Sequence, residues 1–141
     1  MGRPIKADLA VDSPMNKDNK YFSNQWRRDG VGNPGGFLVE STVHFIAGLR
    51  MVLAGAAAAP GGEGSAQAAA ATGLIRHADK SLPPPDTLVG TLVFPGAAGA
   101  PGDNGVPVAV SVTFAAAARR FHLSVVCPRG TVEARPPFFL S

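Results

Sequence analysis

Three segments in the second half of the chain alternate with a period of two, and this alternation limits the fold more than any other feature. In "TLVGTLVF" the residues Leu88, Gly90, Leu92 and Phe94 share one face. In "VPVAVSVTF" the residues Val106, Val108, Val110, Val112 and Phe114 share one face, against Pro107, Ala109, Ser111 and Thr113. In "RFHLSVVC" the face is Phe121, Leu123, Val125 and Cys127. Side chains on a strand point alternately to opposite sides, so each segment presents one side to a core and one to water. Such segments predict a mainly antiparallel sheet with one buried face. "TVEAR" is a weaker fourth strand ahead of the apolar tail "PPFFLS".

The segment "FLVESTVHF", residues 37–45, alternates in the same way and is rich in β-branched and aromatic residues, which predicts a further strand. Beyond it, Phe45, Leu49, Val52 and Ala56 recur at helical spacing, although Gly48 and Gly55 weaken a helix there. A strand through Leu49, Met51 and Leu53 fits nearly as well. Residues 60–86 read as a Gly/Ala/Pro-rich linker. It opens with "PGGEGS", passes through a short helix in "AQAAAATGLIRHADK" capped by Ser65, and ends in the extended "LPPPD". The fold expected is mainly β, an antiparallel sheet arranged as a sandwich or small barrel with one or two short helices; the alternative is α+β. A single domain would span residues 37–141, after a polar, basic extended arm at residues 1–36.

The run "GAAGAPGDNGVP" places glycine at every third position from Gly96 to Gly105. Only four triplets are present, the last overlaps a strand, and "DNG" is turn chemistry, so a hairpin loop is expected rather than a triple helix. "GVGNPG" matches a dinucleotide fingerprint at Gly30, Gly32 and Gly35. That motif works only between an apolar strand and a helix, and here "NQWRRD" precedes it and a strand-like run follows. His44, His77 and His122 are scattered, and the single Cys127 rules out an intrachain disulfide. No metal site, cofactor or catalytic residue is assigned on these grounds.

Charge is uneven. Residues 1–28 hold six basic and three acidic groups, which accounts for the whole net charge of +3. Aromatic residues interleave with these cations in "KDNKYFSNQWRR". Lys17, Lys20, Tyr21, Trp26, Arg27 and Arg28 therefore form a candidate surface for a neighbouring subunit or for nucleic acid. The window at 45–59 is apolar but carries Arg50 and is short for a membrane span, so membrane contact is not favoured. The first 20 residues lack a secretory signal, and one cysteine suits a reducing compartment or a virion.

Much of the 45% apolar content is alanine, which buries little area per residue, and association with other copies would supplement so thin a core. The reading that follows is a non-enzymatic structural or assembly protein. It would be a homo-oligomer, a subunit of a larger complex or of a coat-type particle, using its basic arm for subunit or nucleic-acid contacts. A soluble ligand-binding module and a membrane-associated subunit using residues 45–59 are the alternatives.

Overall fold

The computed structural model describes residues 3–57, 67–95 and 105–135. Six strands form one mixed sheet: β1 (Lys6–Asp12), β2 (Ala70–Arg76), β3 (Thr87–Phe94), β4 (Val106–Thr113), β5 (Arg120–Cys127) and β6 (Gly130–Ala134). Their order across the sheet is β2-β3-β4-β1-β5-β6. Strand β1 runs parallel to β4, and every other pairing is antiparallel. Among the described residues two helices accompany the sheet, the single-turn α1 (Gln25–Arg28) and the long α2 (Gly36–Ala57). The mainly-β expectation therefore holds, in the form of one open mixed sheet with a helical layer.

The three alternating segments are β3, β4 and β5, and their apolar faces share one side of the sheet. Val108, Val110 and Val112 of β4 are buried there beside Leu123, Val125 and Cys127 of β5. Helix α2 covers this side through Phe37, Leu38, Leu49 and Leu53, which join the same core. Phe45 of α2 meets Phe121 of β5 with ring centroids 6.1 Å apart, inside the range of favourable aromatic pairs. The opposite side of the sheet carries mostly small and polar residues, with Leu74 and Val89 exposed near the β2 edge.

Three local expectations change. The segment 37–45 is helical, not a strand. Its apolar residues satisfy both periods, since Leu38, Thr42, Phe45, Leu49 and Leu53 also recur at three- and four-residue spacing on one helical face. The packing of that face on the sheet outweighs the β-preference of Val39, Thr42 and Val43, because propensity is the weaker term. Residues 70–76 form strand β2 rather than part of a short helix, and the antiparallel partner β3 decides the matter.

The amino-terminal segment expected as an extended arm contains β1, a strand in the interior of the sheet between β4 and β5. Ala7, Leu9 and Val11 are 1–2% exposed, while Lys6, Asp8 and Asp12 lie on the other face. The charges that make the segment look like a solvated arm are the outward half of a strand pattern. The Gly-x-x run at 96–104, the linker head 58–66 and the tail 136–141 lie outside the described residues. Strands β3 and β4, which flank the Gly-x-x run, pair antiparallel.

Candidate functional site

Among the described residues helix α2 covers the centre of the sheet but leaves its β2–β3 margin open, and a groove of about 520 Å³ lies there. Its floor comes from the inward residues of three strands: Ala71, Gly73 and Ile75 of β2, Leu88, Gly90 and Leu92 of β3, and Val110 of β4. The wall is α2, which contributes Ile46 and, one turn later, Arg50. Gln67 and Ala68 also line the groove. Arg50 is the one charged side chain among these lining residues, so the groove is an apolar trough with a single cation.

The register explains the depth of the trough. Gly73 and Gly90 are direct partners across β2 and β3. A Cβ on Gly73 would lie 2.9 Å from the Val89 carbonyl oxygen, and one on Gly90 would strike the Thr72 carbonyl oxygen. Backbone approach this close admits only glycine at both positions, and the missing side chains leave the centre of the floor bare. Gly90 is visible within an alternating strand, but Gly73 falls in a segment that reads as a short helix, so sequence reasoning did not bring the two together.

Of the six candidate contact residues of the amino-terminal region, Lys20, Tyr21, Trp26 and Arg27 are linked by contacts around Arg27, which bonds to α2. The Arg27 guanidinium sits 4.4 Å from the Tyr21 ring centre and 4.9 Å from that of Trp26. It also donates two hydrogen bonds to Glu40 of α2, Nε to Oε2 and Nη2 to Oε1. Bonding to the Glu40 carboxylate, with its negative charge, holds Arg27 above its ordinary pKa against the opposing effect of desolvation. Arg28 stacks over Phe22 at 4.7 Å and donates to the Ser81 carbonyl oxygen at 3.0 Å. Lys20 lies 4.7 Å from the other aromatic partner, Tyr21. Lys17 is exposed. Arg27 and Arg28 are thus engaged within the chain, where they tie α1 to α2 and to the loop before β3. Trp26 remains 52% exposed beside a hollow of about 810 Å³ lined by Phe22, Ser23, Gln25, Arg28 and Asp29.

That loop, residues 77–86, is organised around a buried carboxylate. Asp86, 1% exposed, accepts hydrogen bonds from the Ala78 and Asp79 backbone N–H groups, at 2.9 and 2.7 Å, and from the Thr87 hydroxyl at 2.8 Å. The Thr87 and Thr113 hydroxyls are 2.7 Å apart, which joins the loop to β4. His77 Nε2 donates to the Leu82 carbonyl oxygen at 2.9 Å. Asp79 accepts from the Ser81 backbone N–H at 2.8 Å, and this bond, aided by the Ser81 hydroxyl, lowers its pKa. These residues staple a connection. Sequence reasoning assigned them no role.

Neither the glycine motif nor the histidines build a site. Gly30, Gly32 and Gly35 lie in the turn joining α1 to α2, where Val31 N–H donates to Asp29 Oδ1 at 2.9 Å and Asn33 N–H to the Asp29 carbonyl at 2.8 Å. A helix follows the motif, contrary to expectation, but helix α1 stands where a dinucleotide fingerprint needs a strand. His44 lies on α2, His77 in the loop after β2 and His122 on β5, while Cys127 is buried. Among the described residues no three His, Cys, Asp or Glu side chains cluster as metal ligands would.

Comparison with known proteins bears on the functional class. The fold matches the crystal structure of an oxidoreductase from Thermotoga maritima with a TM-score of 0.64, over 96% of this chain and 39% of that one, at 18% identity. A 39-residue stretch is 49% identical to Dehydrogenase FPY6 of Fusarium mangiferae. The match covers 28% of this chain and 11% of the dehydrogenase. No family model matches the chain.

These findings overturn the non-enzymatic reading. The coat-type or assembly subunit and its two alternatives give way to a fold shared with an oxidoreductase. Helix α2 is long and apolar enough to cross a membrane. Within the apolar window at 45–59, Leu49 and Leu53 pack on the sheet, whereas Met51 and Val52 are exposed. The error arose from treating the lack of a local catalytic motif as evidence about the whole fold.

Proposed function

We propose that this chain is the substrate-side part of an oxidoreductase, acting with a nucleotide-binding part that these residues do not supply. The observation that carries the reading is the whole-chain likeness to a portion, 39%, of a crystallised oxidoreductase. The dehydrogenase match points to the same reaction class. The chain's own dinucleotide-like motif lacks its strand, so a nicotinamide cofactor would be held elsewhere. The outward side of α2 supports this division of labour. Val39, Val43 and Met51 are 60%, 57% and 76% exposed, an apolar strip on a covering helix that a second structural unit would bury.

The test is to recover the protein by affinity tag from the cells that make it and follow NADH and NADPH absorbance at 340 nm with a panel of alcohols, aldehydes and ketones. The reading expects nicotinamide-dependent turnover. It also expects a dinucleotide-binding polypeptide in the preparation, continuous with these residues or bound to them. Both should be reduced by Val43→Asp. A preparation with neither would refute it.

A further inference from the structure

We infer that the groove between α2 and the β2–β3 margin is the seat of a second helix, an amphipathic one carried by the nucleotide-binding part. The dimensions favour a helix. Two strands about 4.8 Å apart make the margin about 10 Å wide, and the seven residues of β2 make it about 23 Å long. Helices pack side by side at about 8–10 Å, so one helix of roughly 15 residues fits beside α2. The floor is apolar, with Ala71, Ile75, Leu88 and Leu92 in it, and Ile75 is 60% exposed among the described residues. An extended segment laid on that floor would bury backbone N–H and C=O groups without partners, whereas a helix satisfies its own.

The wall makes the same demand. Val39, Val43 and Ile46 recur at four- and three-residue spacing, so they form one stripe along α2. Val39 and Val43 are exposed, and Ile46 lines the groove. Such a stripe is the ridge on which a neighbouring helix packs. The Gly73–Gly90 notch, fixed by the pairing of β2 with β3, is a hole for one large side chain of that helix, Leu, Met or Phe. This chain does not supply the occupant. Among the described residues α2 is held on the centre of the sheet and α1 is a single turn, and an identical copy offers the same two helices. Residues 58–66 and 96–104 contain no Leu, Ile, Val, Met or aromatic residue, and residues 136–141 are too few for a helix with a full apolar stripe. More than half of the oxidoreductase that shares this fold lies outside the matched region. The helix is therefore assigned to the nucleotide-binding part.

This inference rests on the oxidoreductase reading and names the surface by which its two parts join. Its test is photo-cross-linking in protein recovered by affinity tag from cells. Photoreactive benzoylphenylalanine is encoded at residue 71 or 75 in the groove, or at residue 109, which is exposed on the opposite side of the sheet. After irradiation, peptide mass spectrometry identifies the attached residues. Both groove positions are expected to capture one segment of the dinucleotide-binding polypeptide, at residues three, four or seven apart, and position 109 is expected to miss it. Ile75→Lys puts a charge under the incoming helix and should lower capture from residue 71 about tenfold, with the urea midpoint unchanged. Ala71→Lys, read from residue 75, takes its place should that variant fail to fold. Capture that is undiminished by the lysine would overturn the assignment. So would a preparation that contains the dinucleotide-binding polypeptide but in which the groove positions capture nothing, a second copy, another protein, or residues 58–66, 96–104 or 136–141 of this chain. These outcomes leave the oxidoreductase reading standing. A preparation without that polypeptide fails the reading itself, and this inference with it.

Discussion

Asp86 illustrates how one buried charge can organise a connection. An isolated carboxylate is costly to bury, but here two backbone N–H groups and a hydroxyl converge on it, so its charge is met by donors that would otherwise be unpaired themselves. Removing it strands those donors. Asp86→Ala is expected to lower the unfolding free energy by about 3 kcal/mol, because desolvated and unpartnered polar groups cost about 1–3 kcal/mol each and only some regain water. Asp86→Asn keeps one acceptor oxygen and should cost less. Urea midpoints at constant m-value measure both. An unchanged midpoint for Asp86→Ala would mean that the loop is not coupled to the stability of the sheet. The sequence hides this residue: "PPPDT" reads as a polar turn, and nothing local says that the carboxylate faces inward toward residues 78 and 79.

Strand β1 and helix α2 show what a pattern can and cannot convey at the level of the element. The alternation in "KADLAVD" is as regular as that of β4, with Ala7, Leu9 and Val11 all buried. Charged residues at three of its seven positions, Lys6, Asp8 and Asp12, draw attention to the net charge instead of the period. The parallel pairing of β1 with β4 is non-local, and no turn residue announces it. Helix α2 fails for the converse reason. Its apolar residues satisfy both periods, and only the sheet beneath it selects one. Strands β3, β4 and β5 were legible because each has one clean face and turn-forming neighbours. The groove was legible only in its parts: Arg50 stood out as a lone cation in an apolar window and Gly90 lay on a strand face, while Gly73 was read within a short helix. Their meeting depends on the β2–β3 register. If β1 is the central strand that the structure shows, Leu9→Ala, at a position 2% exposed, should cost about 3 kcal/mol. The same substitution in a dispensable arm would cost nearly nothing, so thermal or urea unfolding separates the two descriptions.

Among the described residues the sheet has one covered face and one bare face, and the bare face bears on the expectation of self-association. The register aligns Thr72, Thr91, Ala109, Asp8, Ser124 and Glu133 in a row across all six strands. Beside them lie Leu74, 62% exposed, and Val89, 51% exposed, as an apolar corner near the β2 edge. Small side chains make such a surface flat enough to meet a copy of itself across a two-fold axis. With strands about 4.8 Å apart and a rise of about 3.3 Å per residue, the sheet presents roughly 650 Å². Two copies would bury about 1,300 Å² in total, at the lower end of the range for specific interfaces. That area suits a concentration-dependent dimer rather than an obligate one. The charges fit as well, because Lys6 with Asp8 and Arg120 with Asp12 already pair on this face at 3.1 and 2.7 Å, so docking would not bury them unpaired. Sedimentation velocity across a hundredfold range of concentration is expected to show a monomer–dimer equilibrium. Val89→Lys, which adds one charge per copy at the apolar corner, should shift it to monomer without changing the urea midpoint. Dimerisation that persists in Val89→Lys would move the contact to the exposed strip of α2, and with it the surface proposed to receive the nucleotide-binding part.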